Sequence, residues 1–131
     1  KKLPPASILI VVRGMILAHT IPVALTDVPV AINQDMKALI PLKGYDPHFI
    51  CWSLKAAHGY ILGKVATAAH GTKRLEVEHI ATLPIPRVPL TEQMHFARMV
   101  RKIRDSRSRL IAAEPDDLFN SLAQRAFKGE L

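Results

Sequence analysis

The stretch Leu83-Pro84-Ile85-Pro86-Arg87-Val88-Pro89-Leu90-Thr91-Glu92-Gln93 divides the chain into two kinds of sequence. Its prolines forbid helix and central strand alike over 84–89, so this segment is an edge strand or a rigid polyproline-like strap. Directly after Pro89 the composition changes. Thr91 can cap a long helix whose first turn holds Glu92 and Gln93, with negative charge where the helix dipole favours it. Phe96, Val100 and Ile103, then Leu110 after a polar gap at Arg107, follow three–four spacing. That stripe is too narrow for a domain core and reads as a helix-pairing seam. Pro115 interrupts the pattern, and Asp116-Asp117 restart a terminal helix. There Leu118, Leu122 and Ala126, with Phe119, Ala123 and Phe127 beside them, make one broad apolar face. Gly129 supplies a left-handed cap and Lys128 complements the dipole. The expected division is therefore an α/β body over 1–90 and a helical arm over 91–131.

Upstream of the strap the body opens with strand-like sequence. Ser7 to Arg13 is a β-branched run without strict alternation, as expected of a strand buried on both faces, and Gly14 ends it. Pro22 to Leu25 and Val28 to Asn33 are short apolar runs separated by Thr26-Asp27, a spacing that suits a tight hairpin. Met36 to Ile40 reads as a further strand, closed by Pro41 and Gly44. Pro4-Pro5 sit directly ahead of the first strand, so the chain is expected to begin part-way through a domain. Asp46-Pro47 is a helix start, with aspartate as N-cap and proline at the first helical position. Phe49, Ile50, Trp52 (or Ser53) and Leu54 supply its buried stripe, and Gly59 is expected to end it. Tyr60 to Ala69 is a second short helix, His70-Gly71-Thr72-Lys73-Arg74 a polar, basic loop, and Val77 to Leu83 a brief helix. The fold class is α+β: a small mixed sheet in the body, then a long C-terminal coiled-coil arm.

The 131 residues are 49% apolar, enough for a folded core in one domain with an appended element. The longest apolar run, Ile8 to Val12, is strand-length and is stopped by Arg13, so no membrane span is expected. No signal peptide is visible, because Lys1-Lys2 leads into prolines. The single cysteine, Cys51, rules out an internal disulfide and makes a reducing, cytoplasmic setting the default. The net charge of +7 points to a polyanionic partner.

Several groups of residues suit such a partner. In the His70–Arg74 loop, glycine lets the backbone approach a ligand, threonine can donate to a phosphate oxygen, and Lys73-Arg74 supply charge. Asn33 and Gln34 are side chains suited to bidentate adenine contacts, and Arg13 is suited to guanine. With His19 these make the candidate DNA-binding set: Arg13, His19, Asn33, Gln34, His70, Thr72, Lys73 and Arg74. The run Arg98, Arg101, Lys102, Arg104, Arg107, Arg109 suits phosphate contacts or salt bridges to an acidic partner helix, but it spreads around several helix faces and reads equally as a solvated face. His48 and Cys51 have a plausible metal-pair spacing, yet no second pair of ligands follows, so neither a metal nor any other cofactor is expected. Cys51 beside Trp52 reads as core rather than as a nucleophile. Asp27, then Asp35 and Lys37, match the acidic-x-lysine pattern of metal-dependent nucleases, without a convincing third carboxylate.

Four pieces of sequence, in order, carry a family resemblance. Ser7-Ile8-Leu9-Ile10 with Arg13-Gly14 comes first, then His70-Gly71-Thr72 with Leu75 and Ile80. The proline strap with Glu92-Gln93 follows, and last comes Leu118-Phe119-Asn120-Ser121-Leu122-x-x-Arg125-Ala126-Phe127-x-Gly129-Glu130-Leu131. Together they resemble the specificity subunits of type I restriction–modification enzymes. The sequence departs from the family pattern at Ser7, where an aspartate is usual, at Arg87-Val88 and at Pro115. The resemblance implies a non-catalytic chain: a target-recognition domain that reads one half of a split site in double-stranded DNA. It also implies a conserved helical arm that sets half-site spacing and docks methyltransferase and restriction (nuclease) subunits. A complete specificity subunit has two such domains, so a fragment or half-subunit is expected, with a homodimer through the arm as one assembly open to it. Phe96, Val100, Ile103, Leu110, Leu118, Leu122 and Phe127 are the partner-binding candidates. The alternatives are a nuclease using Asp27, Asp35 and Lys37, and a helix-pairing scaffold that binds no DNA.

Overall fold

The computed structural model describes residues 2–129, and of 112–122 and Phe127 the backbone alone. The chain divides into two compact units, Lys1–Met94 and His95–Leu131. The first is built around strand β1 (Ile8–Val11), the middle of a three-stranded sheet with β2 (Val23–Leu25) on one side and β3 (Met36–Leu39) on the other. Both pairings are antiparallel, with Ile8 opposite Leu25 and Leu39. The α+β class holds, but the expected mixture of strand directions does not. Ile8 and Ile10 are wholly buried while Leu9 and Val11 are half-buried, so β1 has one fully covered face rather than two. The core gathers Ile8, Ile10, Val12, Leu17 and Ile21 with Cys51, Leu54, Ile61, Leu75 and Ile80.

The hairpin expected at Thr26-Asp27 is absent. β2 pairs with β1 instead, and 28–33 makes only an isolated bridge between Val30 and Leu3. The reason is local hydrogen bonding. Thr26 Oγ1 accepts from the Ser7 N–H at 3.1 Å, the Thr26 N–H donates to the Ser7 carbonyl at 3.0 Å, and Ala6 N–H donates to the Thr26 carbonyl at 2.8 Å. Thr26 is thereby committed to β1, and Pro29 has no N–H to offer a ladder.

Helix α1 (Pro47–Ala56) starts as its sequence dictates: Asp46 Oδ1 accepts from the N–H groups of His48 and Phe49 at 2.9 and 3.1 Å, and Pro47 occupies the first turn. It packs on β1 and β2. Its buried face is Cys51 and Leu54 with Phe49 and Ile50 half-buried, whereas Trp52 is 40% exposed and has the Lys55 ammonium 4.9 Å from its ring centre. Trp52 lies more than a third of a turn away from the midline of Cys51 and Leu54 and therefore faces out. Burial pushes the Cys51 thiol above its ordinary pKa, with Lys55 acting in the opposite direction, as fits a core cysteine.

α1 ends at Ala56, before Gly59, which sits inside the short α2 (His58–Leu62). The helix expected over 60–69 stops after Leu62, and the chain forms a two-stranded hairpin, β4 (Ala66–Thr67) with β5 (Lys73–Arg74). His70 and Gly71 take positive φ (64° and 80°) and so close a turn that a helix could not contain. Helix α3 (Val77–Ala81) forms as expected, and 83–89 carry no regular structure, as the prolines require. α4 (Leu90–Phe127) begins one residue before Thr91: the Pro89 carbonyl accepts from Glu92 and Gln93, so Thr91 is inside the first turn rather than its cap. The helix also runs through position 115 instead of breaking there. A proline costs one backbone hydrogen bond and a local kink, which a helix can absorb once it is long.

Candidate nucleic-acid interface

The polar side chains of interest converge where the tail of β1 meets β5. Leaving the sheet, Val12 and Arg13 both donate their N–H to the Asp35 carbonyl (2.8 and 3.2 Å), which draws the turn before β3 onto β1. On the other side Leu75 N–H donates to the Val12 carbonyl (2.9 Å) and Gly14 N–H to the Lys73 carbonyl (3.0 Å). These bonds make Arg13 and Arg74 directly opposed residues of an antiparallel bridge. Directly opposed residues project on the same face, so the two arginine side chains leave the backbone on one side and both line one cleft.

Each has a carboxylate. Arg74 Nε lies 3.0 Å from Glu76 Oε1 and its Nη2 3.2 Å from Glu76 Oε2, a two-pronged contact. Arg13 Nη1 lies 4.0 Å from Asp35 Oδ1, a single and looser approach. A cleft of about 210 Å³ runs beside them, lined by Val12, Arg13, Gln34, Lys37, Arg74, Leu75, Glu76, Val77 and Glu78. The cleft therefore mixes three cations with carboxylates and one amide. It offers directed donors more than bulk positive charge.

Of the residues singled out in the sequence, Arg13, Gln34 and Arg74 share this cleft. Lys73 is next to it in the chain, with Nζ donating to Thr67 Oγ1 at 2.8 Å. Asn33 serves its own turn, Oδ1 accepting from Asp35 N–H at 3.1 Å. His70 and Thr72 occupy the β4–β5 turn, and His19 is exposed at the end of the 3₁₀ turn Met15–Ala18, an element that lies against β5. Glu76 and Glu78 escaped the sequence reading, and Lys37 entered it only as a nuclease residue. Arg74 and Glu76 are two apart in extended chain, the spacing that puts side chains on one side, and this was the available signal. His58 was missed too: its Nε2 accepts from the Ile21 N–H (3.3 Å) and lies 3.1 Å from Thr20 Oγ1, pinning the segment between β1 and β2 to α2.

Residues 1–118 match the model of the type I restriction modification DNA specificity domain. The chain belongs to that family. It is also 30% identical over 102 residues to the type I restriction enzyme EcoR124I/EcoR124II specificity subunit of Escherichia coli, an alignment covering 78% of this chain and 25% of that protein. This specificity domain thus spans about a quarter of the length of the curated relative it matches. The resemblance drawn from the four sequence pieces is borne out.

Within the family frame the remaining candidates can be placed. Among the described residues no three His, Cys, Asp or Glu come together as a metal-holding group, and Asp35 is engaged by Arg13. Among the same residues no helix is long and apolar enough to cross a membrane. Along α4, Phe96 and Val100 are half-buried, while Ile103 (66%) and Leu110 are exposed. The side chains of Leu118, Leu122 and Phe127 lie outside the described residues.

Proposed function

We propose that this specificity domain reads double-stranded DNA through the face that carries Arg13, Gln34 and Arg74, and does no chemistry itself. The observation behind this is the Arg13–Arg74 bridge beside a cleft that Gln34 also lines, in a chain of the DNA specificity family. Guanidinium and amide groups are the side chains that pair bidentately with guanine and adenine edges in the major groove. Lys73 and the basic run from Arg98 to Arg109 supply sequence-independent attraction to phosphate. His19, Asn33, His70 and Thr72 remain in the proposal as flanking contacts. In this reading 1–90 is the recognition portion and 91–131 the helical arm. The arm sets the distance to a second recognition domain and docks methyltransferase and restriction subunits through Phe96, Val100, Ile103, Leu110 and the terminal Leu118, Leu122 and Phe127. The exposed Ile103 and Leu110 support that role and a homodimer through the same seam.

The test is anisotropy of a labelled mixed-sequence duplex titrated with the whole chain at 50 and 200 mM salt, with light scattering on the same samples. About five phosphate contacts weaken binding several-hundredfold over that range. Lys73→Ala weakens binding to every duplex alike and lowers the salt slope by about one. A salt-insensitive complex, or no binding even with a methyltransferase subunit present, refutes the reading. Oligomers without DNA affinity would leave the scaffold alternative standing in its place.

A further inference from the structure

The two arginines of the cleft are held differently, and the difference assigns them different work. Arg74 is gripped along one edge: Nε and Nη2 both lie on the Glu76 carboxylate, at 3.0 and 3.2 Å. A guanidinium is a rigid planar fork with five N–H donors, so fixing the Nε/Nη2 edge fixes the plane and the direction of the whole group. What it leaves for a ligand is the end-on edge formed by Nη1 and the second hydrogen of Nη2. Two parallel donors on one edge match the O6 and N7 acceptors of guanine in the major groove. Arg13, by contrast, has a single, longer approach of 4.0 Å to Asp35, which does not fix the plane of its guanidinium.

Glu76 is placed for this duty by the backbone. It follows Arg74 by two residues in extended chain, which returns its side chain to the same side. It stands at the N-cap position of α3 yet makes no side-chain cap hydrogen bond; its carboxylate goes to Arg74 instead. Both side chains are about half exposed (48% and 46%), so the pair is open to a ligand rather than sealed in the core. Beside them in the cleft, Arg13 and Lys37 stand against Glu78 and Asp35, so the site selects by the direction of its donors rather than by net charge.

We infer that Arg74 reads a guanine and that Glu76 is its positioning residue, holding the guanidinium so that only its end-on edge meets the base. This rests on the reading of the domain as a DNA-binding module, and it adds to that reading a fixed edge of Arg74 for the base and a role for Glu76. It also gives Glu76, an acidic side chain facing a polyanion, a reason to be there. Without the carboxylate the arginine swings among rotamers and can turn to a phosphate or to another base, so preference falls while attraction does not.

The experiment is selection from a randomised duplex library by the whole 131-residue chain, followed by sequencing, for wild type, R74A, R74K, E76A and E76Q. Each variant's melting temperature is measured first; both residues are half exposed, so the folds persist, and E76Q is isosteric. Wild type enriches a motif with a fixed guanine. R74A and R74K lose that guanine, because lysine has no two-donor edge. E76A and E76Q relax it about tenfold against the other bases. The other motif positions keep their preferences, and affinity for mixed-sequence duplex holds or rises as a negative charge is removed. A motif unchanged in E76A and E76Q, or R74A weakening all sequences evenly with a salt slope lower by about one, overturns the inference and leaves the DNA-binding reading intact. Failure of wild type to bind duplex at low salt overturns both.

Discussion

Replacing Gln93 by leucine removes three hydrogen bonds while roughly keeping side-chain volume. Gln93 is 1% exposed. Its Oε1 accepts from the Asp46 N–H at 2.9 Å, and its Nε2 donates to the Gly44 and Val88 carbonyls at 3.2 and 2.7 Å. One side chain thus ties the first turn of α4 to the cap residue of α1 and to the proline strap. Each bond contributes about 1 kcal/mol net, and each partner left unpaired adds desolvation where water cannot reach it. The three backbone groups are only part-buried, which keeps that second contribution small, so the loss totals about 3 kcal/mol. For a chain of this size that lowers Tm by on the order of 10 °C. Urea unfolding at constant m value measures it directly. Gln93→Glu sharpens the test. Facing two carbonyls, the new carboxyl must stay protonated to donate, so its folded pKa rises above the ordinary glutamate value of about 4.3. The sign follows from linkage: the folded state then holds more protons than the unfolded one. Stability of this variant is retained below about pH 4 and declines as pH rises toward neutral, a dependence the leucine variant lacks. A leucine variant within about 1 kcal/mol of wild type, or a glutamate variant with the leucine variant's pH profile, would refute the network as the tie between these segments.

Leu54→Ala empties part of the core beneath β1 and costs about 2–5 kcal/mol, whereas Trp52→Ala, on the exposed side of the same helix, costs under about 1 kcal/mol; denaturant melts of the two variants compare them directly. Equal losses would mean that α1 buries the other face. Cys51, buried with its thiol pKa raised, reacts slowly with iodoacetamide at pH 8 in the folded chain and rapidly in denaturant. Because the folded pKa is the higher one, stability contributed by this group is full below the unfolded thiol pKa and falls as pH rises above it. Labelling as fast folded as unfolded contradicts a core position.

Features whose causes lie within a few residues could be read from the sequence. Asp46-Pro47 announced α1 because cap and first turn are adjacent, and Pro84, Pro86 and Pro89 excluded regular structure wherever they fell. Distant partners misled. Val28 to Asn33 has strand composition, but Thr26 is bonded to Ser7, nineteen positions away, and that decides which run joins the sheet. β4 and β5 are two residues each, Ala-Thr and Lys-Arg, with no apolar alternation to announce them. Their pairing is set by the positive φ of His70 and Gly71 and by the bonds from Gly14 and Leu75. The candidate cleft followed the same division. Arg13, Gln34 and Arg74 stood out by residue type, but their gathering depends on the isolated bridge between Arg13 and Arg74, which no local pattern encodes. Glu76 was overlooked because an acidic residue runs against the charge expected of a surface that meets DNA.

β1 is at once the middle of the sheet and, through Val12 and Arg13, the anchor of the cleft. A slip of one residue in its pairing would turn Ile8 and Ile10 away from the core and in the same movement send Arg13 to the face opposite Arg74. Backbone register and recognition geometry therefore rise or fall together. On the proposed reading, new sequence preferences come by exchanging the tips of side chains such as Arg13, Gln34, Arg74 and Glu76 on a backbone that stays fixed. The scaffold works as a printing forme: the type can be reset, but the frame that holds it in line cannot be moved without scattering the page.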